Sequence, residues 1–328
     1  MSDAVPTTMQ AVLAAGDGGP EVLRLAEAPV PKPRPGEVLI KVTAAGVNRA
    51  DVMQRRGFYP PPPGASDIIG LEVSGHIAAL GADIEGWQVG DPCVALLAGG
   101  GYAAYVAVEA AQTIPPPPGI DLVTAAGVLE VAATVQSNAR VAHLSPGETF
   151  LVHGGAGGIG SFAIPYAKAL GCTVWTTAGS EEKIEFCREL GADLAISYRE
   201  DWAAAMTDAG GADVILDNQG ARYLTPNLGV LKPDGRLVII GLQGGRTAEI
   251  DLNAVLRKRN QVIATSLRSR PADQKAAVCA EVVAEIWPMY ADGRLRAAPT
   301  MTFAAADAAA AHEYFDSGDH RGKIVLTF

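Results

Sequence analysis

Leu151-Val152-His153 is an apolar run that ends in Gly154-Gly155-Ala156-Gly157-Gly158-Ile159-Gly160, and helix-compatible residues, Ser161 to Leu170, follow at once. Glycine lacks a Cβ, so such a backbone turns sharply and lets an anion come close. A helix that begins there offers unpaired N–H groups and the positive end of its dipole. The chemistry available to this pattern is the binding of a pyrophosphate, and so of a dinucleotide. A tight strand-to-helix turn with no ligand has the same local sequence, so context must decide. The dinucleotide reading needs a strand before the glycines, a helix after them and a repeating strand–helix series around them.

A second group lies where the next predicted strand ends, Trp175-Thr176-Thr177-Ala178-Gly179-Ser180. Dinucleotide folds that take NAD usually put a carboxylate there, to hold the ribose 2′-hydroxyl. None occurs before Glu181. Hydroxyls with Lys183 nearby suit a 2′-phosphate better, which favours NADPH. The competing reading of Lys183 is an ordinary exposed helix lysine. Metal chemistry has little support. Cys93, Cys172, Cys187 and Cys279 form no CxxC pair, and the 5 histidines are scattered. Four separate reduced thiols are expected, with no zinc cluster.

The elements that must position these groups change character along the chain. Up to about residue 130 the pattern is strands and turns, with Val38 to Val42, Val73 to Leu80, Cys93 to Leu96 and Tyr102 to Val108 as strands. Pro115-Pro116-Pro117-Pro118-Gly119 excludes helix and central strand, and marks a linker or a domain edge. Helices then alternate with strands: helix Thr124 to His143, strand Thr149 to His153, helix Ser161 to Leu170, strand Thr173 to Thr177, helix Glu181 to Leu190, strand Leu194 to Ile196, helix Trp202 to Asp208, then strands Val214 to Asp217, Leu237 to Ile240 and Gln261 to Thr265. Gly171 and Gly191 stand where a left-handed residue closes a helix. Such alternation implies a parallel sheet covered on both faces. A long helix Ala272 to Tyr290, an Ala-rich helix Ala304 to Phe315 and a strand Lys323 to Phe328 close the chain. Pro165 falls inside the helix after the glycines, where a kink is the expected cost.

Composition bounds the function classes. The 328 residues suggest two domains, and 48% hydrophobic residues allow a sizeable core. A net charge of −10 argues against nucleic acid as a main partner. No apolar run reaches the ~20 residues of a membrane helix, and the segment Met1 to Gln10 has no cationic start, so a cytoplasmic protein is expected.

Several further stretches carry a resemblance that covers nearly the whole chain: Gly46-Val47-Asn48-Arg49-Ala50-Asp51, Tyr59 with Pro60 to Gly64, Ile69-Gly70-Leu71-Glu72-Val73-Ser74-Gly75, the glycine loop, Ser266-Leu267-Arg268-Ser269-Arg270 and Gly322-Lys323-Ile324-Val325-Leu326. Together they resemble the zinc-free medium-chain dehydrogenase/reductases, and among them quinone oxidoreductases of the p53-inducible type. The resemblance implies an α/β chain: a GroES-like β domain over 1–128 and 268–328, and a Rossmann doubly wound parallel-sheet domain over 129–267, with the active site in the cleft between them. Zinc-dependent relatives carry Cys where this chain has Asn48, and a GHE motif where it has Gly70-Leu71-Glu72. Asn and Leu are not zinc ligands, so no metal is expected.

The resemblance places Asn48, Asp51 and Tyr59 at the reacting end as catalytic residues. Asn and Tyr can hydrogen-bond a carbonyl oxygen that gains charge, while Asp51 could instead hold its loop and Tyr59 could pack on the prolines. It assigns Ala156, Gly157, Gly158, Ile159 and Gly160 to the pyrophosphate. Ser180, Lys183 and Tyr198 go to the 2′-phosphate region. Thr134, Asn218, Gly241, Ser266, Leu267 and Arg268 go to the nicotinamide side. His320 either reaches the cofactor or is a surface histidine. Ala132, Ala133 and Gln136 replace bulkier residues after Glu130, and imply a wider, more polar pocket. The function implied is NADPH-dependent reduction of a small quinone by hydride or single electrons. Reduction of an enone or 2-alkenal is the near rival, and a catalytically weak NADPH-binding sensor is the distant one. A homodimer paired through Gln261 to Thr265 is also implied.

Overall fold

The computed structural model describes residues 5–328, which divide into two compact units. One comprises residues 5–133, Leu267–Gly293 and Ala297–Phe328; the other comprises Thr134–Ser266 and Arg294–Arg296. The strands are β1 (Thr8–Ala14), β2 (Leu23–Pro29), β3 (Glu37–Val47), β4 (Glu72–Leu80), β5 (Pro92–Leu96), β6 (Tyr105–Glu109), β7 (Thr113–Ile114), β8 (Thr149–His153), β9 (Thr173–Ala178), β10 (Leu194–Ser197), β11 (Ala212–Asp217), β12 (Leu231–Ile239), β13 (Gln261–Ala264), β14 (Thr300–Ala304) and β15 (Lys323–Thr327). The helices are α1 (Arg49–Arg55), α2 (Leu122–Ala125), α3 (Leu129–Val141), α4 (Gly158–Ala169), α5 (Glu181–Glu189), α6 (Trp202–Asp208), α7 (Ala221–Val230), α8 (Leu252–Lys258), α9 (Ala272–Glu281), α10 (Trp287–Ala291) and α11 (Ala308–Ser317).

In the first unit a seven-stranded sheet runs in the order β14-β15-β3-β4-β5-β7, with β6 paired to β3. β3 is its spine. It alternates Val38, Ile40 and Val42 into a core shared with Val73, Ile77, Val106, Tyr102 and Ile324. Both faces of that strand are largely covered, so its run of Val, Leu and Ile is nearly continuous. This is the GroES-like architecture.

The second unit is a Rossmann-type parallel sheet of six strands in the order β10-β9-β8-β11-β12-β13. The direction of winding reverses between β8 and β11, and ligands of such sheets bind at that point, beyond the carboxyl ends of the strands. β8 ends at His153, and the glycine loop begins there.

Several expected elements have different limits. The helix over 124–143 is two helices, α2 and α3, broken at Ala126 to Val128. Gly127 sits there beneath the Lys323 side chain, and a Cβ on it would lie 3.0 Å from Lys323 Cε. The helix over 272–290 is α9, a π turn over Val282–Ile286, and α10. Pro288 has no N–H to donate and its ring crowds the preceding turn, which widens the helix there. Helices α7 and α8 carry little local signal, because Pro226 and the short apolar stretch before Lys258 hide them. The helix after the glycines starts at Gly158 rather than Ser161 and is continuous through Pro165. Burial of Phe162, Ala163, Ile164, Tyr166 and Ala167 holds it, which offsets the bond the proline removes. Gly171 and Gly191 adopt φ of +84° and +105°, the left-handed closure expected of them.

Candidate functional site

In the second unit the chemistry is carried by the main chain. Gly157 is the N-cap of α4 and offers no side-chain cap. The first backbone bond of the helix is donated by Ser161 N–H to Gly157 O at 2.8 Å. The N–H groups of Gly158, Ile159 and Gly160 therefore lack intrahelical partners, as every helix start does. The loop is held from below. Gly154 N–H and Gly155 N–H both donate to Thr177 O, at 3.1 and 3.0 Å. A Cβ on Gly160 would collide with Gly155 Cα, so glycine is needed for the helix to close on the strand. A Cβ on Gly157 would meet nothing nearer than Gly154 O at 3.6 Å. Close packing beneath and open space with unpaired donors above fit a pyrophosphate.

Other expected residues gather along the same ends of the parallel strands. Asn218 follows β11 and donates through Nδ2 to His153 O at 3.1 Å, which ties the two strand ends at the switch point. Gly241 packs on the Asn218 backbone, where a Cβ would lie 2.8 Å from Asn218 O. Ser180 caps α5 by accepting Lys183 N–H at 3.4 Å. Tyr198 is exposed, and its ring lies over Gly179. Glu181 and Glu182 point to solvent, and Glu181 pairs with Arg188 at 3.4 Å. Thr134 is buried in α3, and its carbonyl accepts from Asn138 Nδ2 at 2.7 Å. Ala156 is buried in the loop, and Ser266 is exposed after β13.

Beneath the loop, His153 is buried between the rings of Trp202 and Tyr223, at 4.8 Å from each. Its Nε2 faces Asn227 Oδ1 at 2.8 Å, and its Nδ1 faces Thr177 Oγ1 at 3.1 Å. An amide oxygen only accepts, so Nε2 carries the proton and Nδ1 accepts from Thr177. Burial pushes this histidine down to about 4. It is neutral at pH 7 and part of the support of the loop.

The first unit uses side chains. Asn48 precedes α1 and Asp51 lies in its first turn. Asp51 Oδ2 accepts Asn48 N–H at 2.7 Å. The Asn48 carboxamide is gripped at both ends: Lys323 Nζ donates to Oδ1 at 2.7 Å, and Nδ2 donates to Glu72 Oε1 at 2.9 Å. Lys323 also donates to Glu72 Oε1 at 2.9 Å. The other Glu72 oxygen accepts Glu130 N–H at 2.9 Å, at the start of α3. All three side chains are buried.

Asp51 is fully buried, and burial pushes its carboxyl up to about 7 despite the Asn48 N–H, Tyr102 and Lys323. Tyr102 donates its hydroxyl to Asp51 Oδ2 at 3.1 Å. Behind it stands His312, with Nε2 at 3.0 Å from the Tyr102 hydroxyl and Nδ1 at 3.2 Å from Arg55 Nη1. Arginine only donates, so Nδ1 accepts and Nε2 carries the proton. Burial pushes His312 down to about 3. Arg55 Nη2 continues to Asp316 Oδ2 at 2.6 Å.

Zinc does not fit here. One amide oxygen and one carboxylate oxygen already face an ammonium, and Leu71 offers no donor. Among the described residues no group of three or more His, Cys, Asp or Glu could hold a metal.

The remaining expected residues are Arg268, Leu267 and His320. Arg268 is spent within the first unit, on Ala98 O (2.9 Å), Tyr59 O (3.1 Å) and Gln54 Oε1 (2.7 Å), and its guanidinium stands 5.1 Å over the Tyr59 ring. Leu267 precedes it, half-buried. His320 stacks on Phe315 at 4.7 Å. Sequence reasoning gave Glu72 and Lys323 only as motif members, and it missed Tyr102 and His312. Charged residues amid apolar strand patterns were the available signal for the first two.

The model of the "Alcohol dehydrogenase GroES-like domain" matches residues 34–118, and that of the "Zinc-binding dehydrogenase" matches residues 158–283. The chain is 32% identical to a quinone oxidoreductase of Pseudomonas aeruginosa, over 94% of this chain and 96% of that one. It is 31% identical to a phenolphthiocerol/phthiocerol polyketide synthase of Mycobacterium tuberculosis, over 90% of this chain but only 14% of that much longer protein. Among solved structures, the CurK enoyl reductase superposes with a TM-score of 0.85 at 27% identity, over 98% of this chain and 99% of that one. The chain belongs to the medium-chain dehydrogenase/reductase family, as a GroES-like unit joined to a Rossmann-type unit.

Proposed function

We propose that this protein is an NADPH-dependent, zinc-independent quinone oxidoreductase. The observation that carries the reading is the uncapped start of α4 at the switch point of the parallel sheet. It fits a dinucleotide pyrophosphate, with Ala156 to Gly160 as the cradle. Ser180, Lys183 and Tyr198 surround the end of β9 and the start of α5, where no carboxylate points inward to repel a 2′-phosphate. Thr134, Asn218, Gly241, Ser266 and Leu267 serve the nicotinamide side in this proposal. Arg268 braces Tyr59 from behind, and His320 has no assigned role.

NADPH, when bound, supplies the reducing equivalent. The protein's task is then to orient the acceptor and to stabilise charge on its oxygen. Asn48 and Tyr59 are the donors proposed for that oxygen. Asp51 is assigned to holding Asn48 in place, through the bond to its N–H. An already electrophilic quinone needs no Lewis acid, in contrast to an alkoxide. The similarity to the Pseudomonas aeruginosa quinone oxidoreductase supports this acceptor class. Reduction of an enone or 2-alkenal is the second reading, favoured by the likeness to the CurK enoyl reductase.

Steady-state oxidation of NADPH and of NADH, with 1,4-benzoquinone and with crotonaldehyde, tests both. Faster turnover with NADPH and the quinone is expected. Turnover with the alkenal alone moves the assignment to the second reading. Tight NADPH binding without either turnover leaves the sensor reading. β13 is an edge strand with Val262 exposed, and an exposed edge invites pairing. A homodimer through Gln261 to Thr265 and a cytoplasmic location belong to the same proposal. Light scattering at several concentrations checks the dimer.

A further inference from the structure

A carboxamide has two unlike ends, since its oxygen only accepts hydrogen bonds and its nitrogen only donates. At Asn48 each end faces a group with no choice. Lys323 Nζ has only donors, and it lies 2.7 Å from Oδ1. A carboxylate only accepts, and Glu72 Oε1 lies 2.9 Å from Nδ2. Turning the amide over would set its N–H groups against an ammonium and its oxygen against a carboxylate. Both bonds would be lost and like poles would meet. The two charges therefore fix which way the amide points.

The surroundings are shaped for this arrangement. Glu72 spends its second oxygen on Glu130 N–H at 2.9 Å, so the carboxylate cannot swing away. A Cβ on Gly46 would collide with the Glu72 carboxylate and would lie 2.7 Å from Ala126 O. Gly127 makes the same allowance for the stem of Lys323. A buried ion pair is a weak source of stability, because desolvation offsets most of the attraction. Fixing one polar orientation is what this pair does that an apolar pair of equal size would not.

The donor count then points outward. Nδ2 has two N–H bonds and Glu72 takes one; no acceptor among the described residues takes the other. The ammonium on Oδ1 draws charge through the amide and strengthens that remaining donor. We propose that Lys323 and Glu72 are positioning residues that lock Asn48 as an N–H donor, so that the site takes the acceptor oxygen of a quinone or enone carbonyl. The inference rests on the function proposed above for its substrate class. The lock itself does not depend on that reading. A donor fixed in advance costs no reorganisation as charge builds on the acceptor oxygen.

The paired variant Glu72→Leu/Lys323→Met removes both charges of the pair and nearly keeps the volume. Hydrogen exchange at the Asn48 side-chain amide is read by NMR, with the signal assigned by its loss in Asn48→Ala. One Asn48 amide hydrogen exchanges at least about tenfold faster in the paired variant than in the parent protein. Equal rates would overturn the lock, whether or not the protein reduces any quinone.

In turnover with NADPH and 1,4-benzoquinone, kcat falls about a hundredfold in the paired variant. KM for NADPH is unchanged, and Lys323→Arg keeps most of the activity. In an Asn48→Ala background the same pair of changes lowers kcat no further, because all three residues act as one unit. Additive losses would show an effect through the fold, and would overturn the positioning role. A parent protein inert toward both quinone and enone would overturn the proposed function instead, and the exchange rates would still decide the lock.

Discussion

The glycine loop of the Rossmann-type unit and the Asn48 cluster of the GroES-like unit make donors in opposite ways. The loop uses N–H groups that any helix start leaves unpaired, and its parts are neighbours in sequence. Its donors belong to the main chain, so only close packing beneath it has to be right. The cluster uses three side chains drawn from positions 48, 72 and 323, separated by 24 and 251 residues. Each is buried and polar, so every partner must be present. A local device tolerates change around it, whereas a dispersed one fails when a single member is removed.

The largest effect expected from this contrast is on the cluster. Lys323→Met leaves the buried Glu72 carboxyl without its partner, and should cost about 3–5 kcal/mol, read as a fall in the urea midpoint. The paired Glu72→Leu/Lys323→Met should recover most of that loss. If the single and paired variants are equally unstable, the cluster is not held together by charge.

Gly160→Val tests the packing under the loop. Its side chain would meet the Gly155 backbone, which cannot yield, and a cost of about 3 kcal/mol is expected in the same titration. Gly157→Val sits less than one helical turn earlier in the chain but faces open space. Its stability should change by no more than about 1 kcal/mol, while NADPH affinity, followed by fluorescence titration, falls by at least about tenfold through the blocked approach. Equal losses of stability at both glycines would erase the distinction between the two faces of the loop.

Lys183→Ala is a smaller perturbation. A solvent-facing ion contact is worth about 1 kcal/mol or less, so NADPH affinity should fall only several-fold, and NADH affinity should not change. A parallel loss for both cofactors would remove the 2′-phosphate assignment.

The buried titratable groups give pH dependences of opposite sign. Asp51 titrates near 7 in the fold, above its ordinary 3.8, with Tyr102, Lys323 and Glu130 around it. The fold therefore holds a proton that the unfolded chain has released, and this contribution is lost as pH rises from about 4 through about 7. His153 titrates near 4 in the fold, below its ordinary 6.5. Its contribution is present above 6.5 and is lost as pH falls toward about 4. Asp51→Asn should flatten the first slope and His153→Gln the second, in urea midpoints measured across that range.

Legibility follows the same division. The glycine loop, strand β8, helix α6 and the order of alternating elements can be read because periodicity and glycine punctuation are local. The packing of Gly127, in the break between α2 and α3, against the Lys323 side chain cannot be read, because Lys323 lies far along the chain. Pro165 does not end α4, which continues through it among buried neighbours. Arg268 resembles a cofactor residue by its motif, but its guanidinium is spent on Ala98, Tyr59 and Gln54.

By itself the sequence determined a parallel sheet with a glycine-rich strand-to-helix turn, and Asn and Leu where zinc ligands would stand. These follow from residue types at short spacing. Tertiary structure alone decided which charges face the Asn48 carboxamide. An ammonium from β15 and a carboxylate from β4 meet its two ends, and they turn a side chain of ambiguous polarity into a donor. Local sequence cannot report this, because hydrogen-bond direction depends on which distant charges the fold buries together.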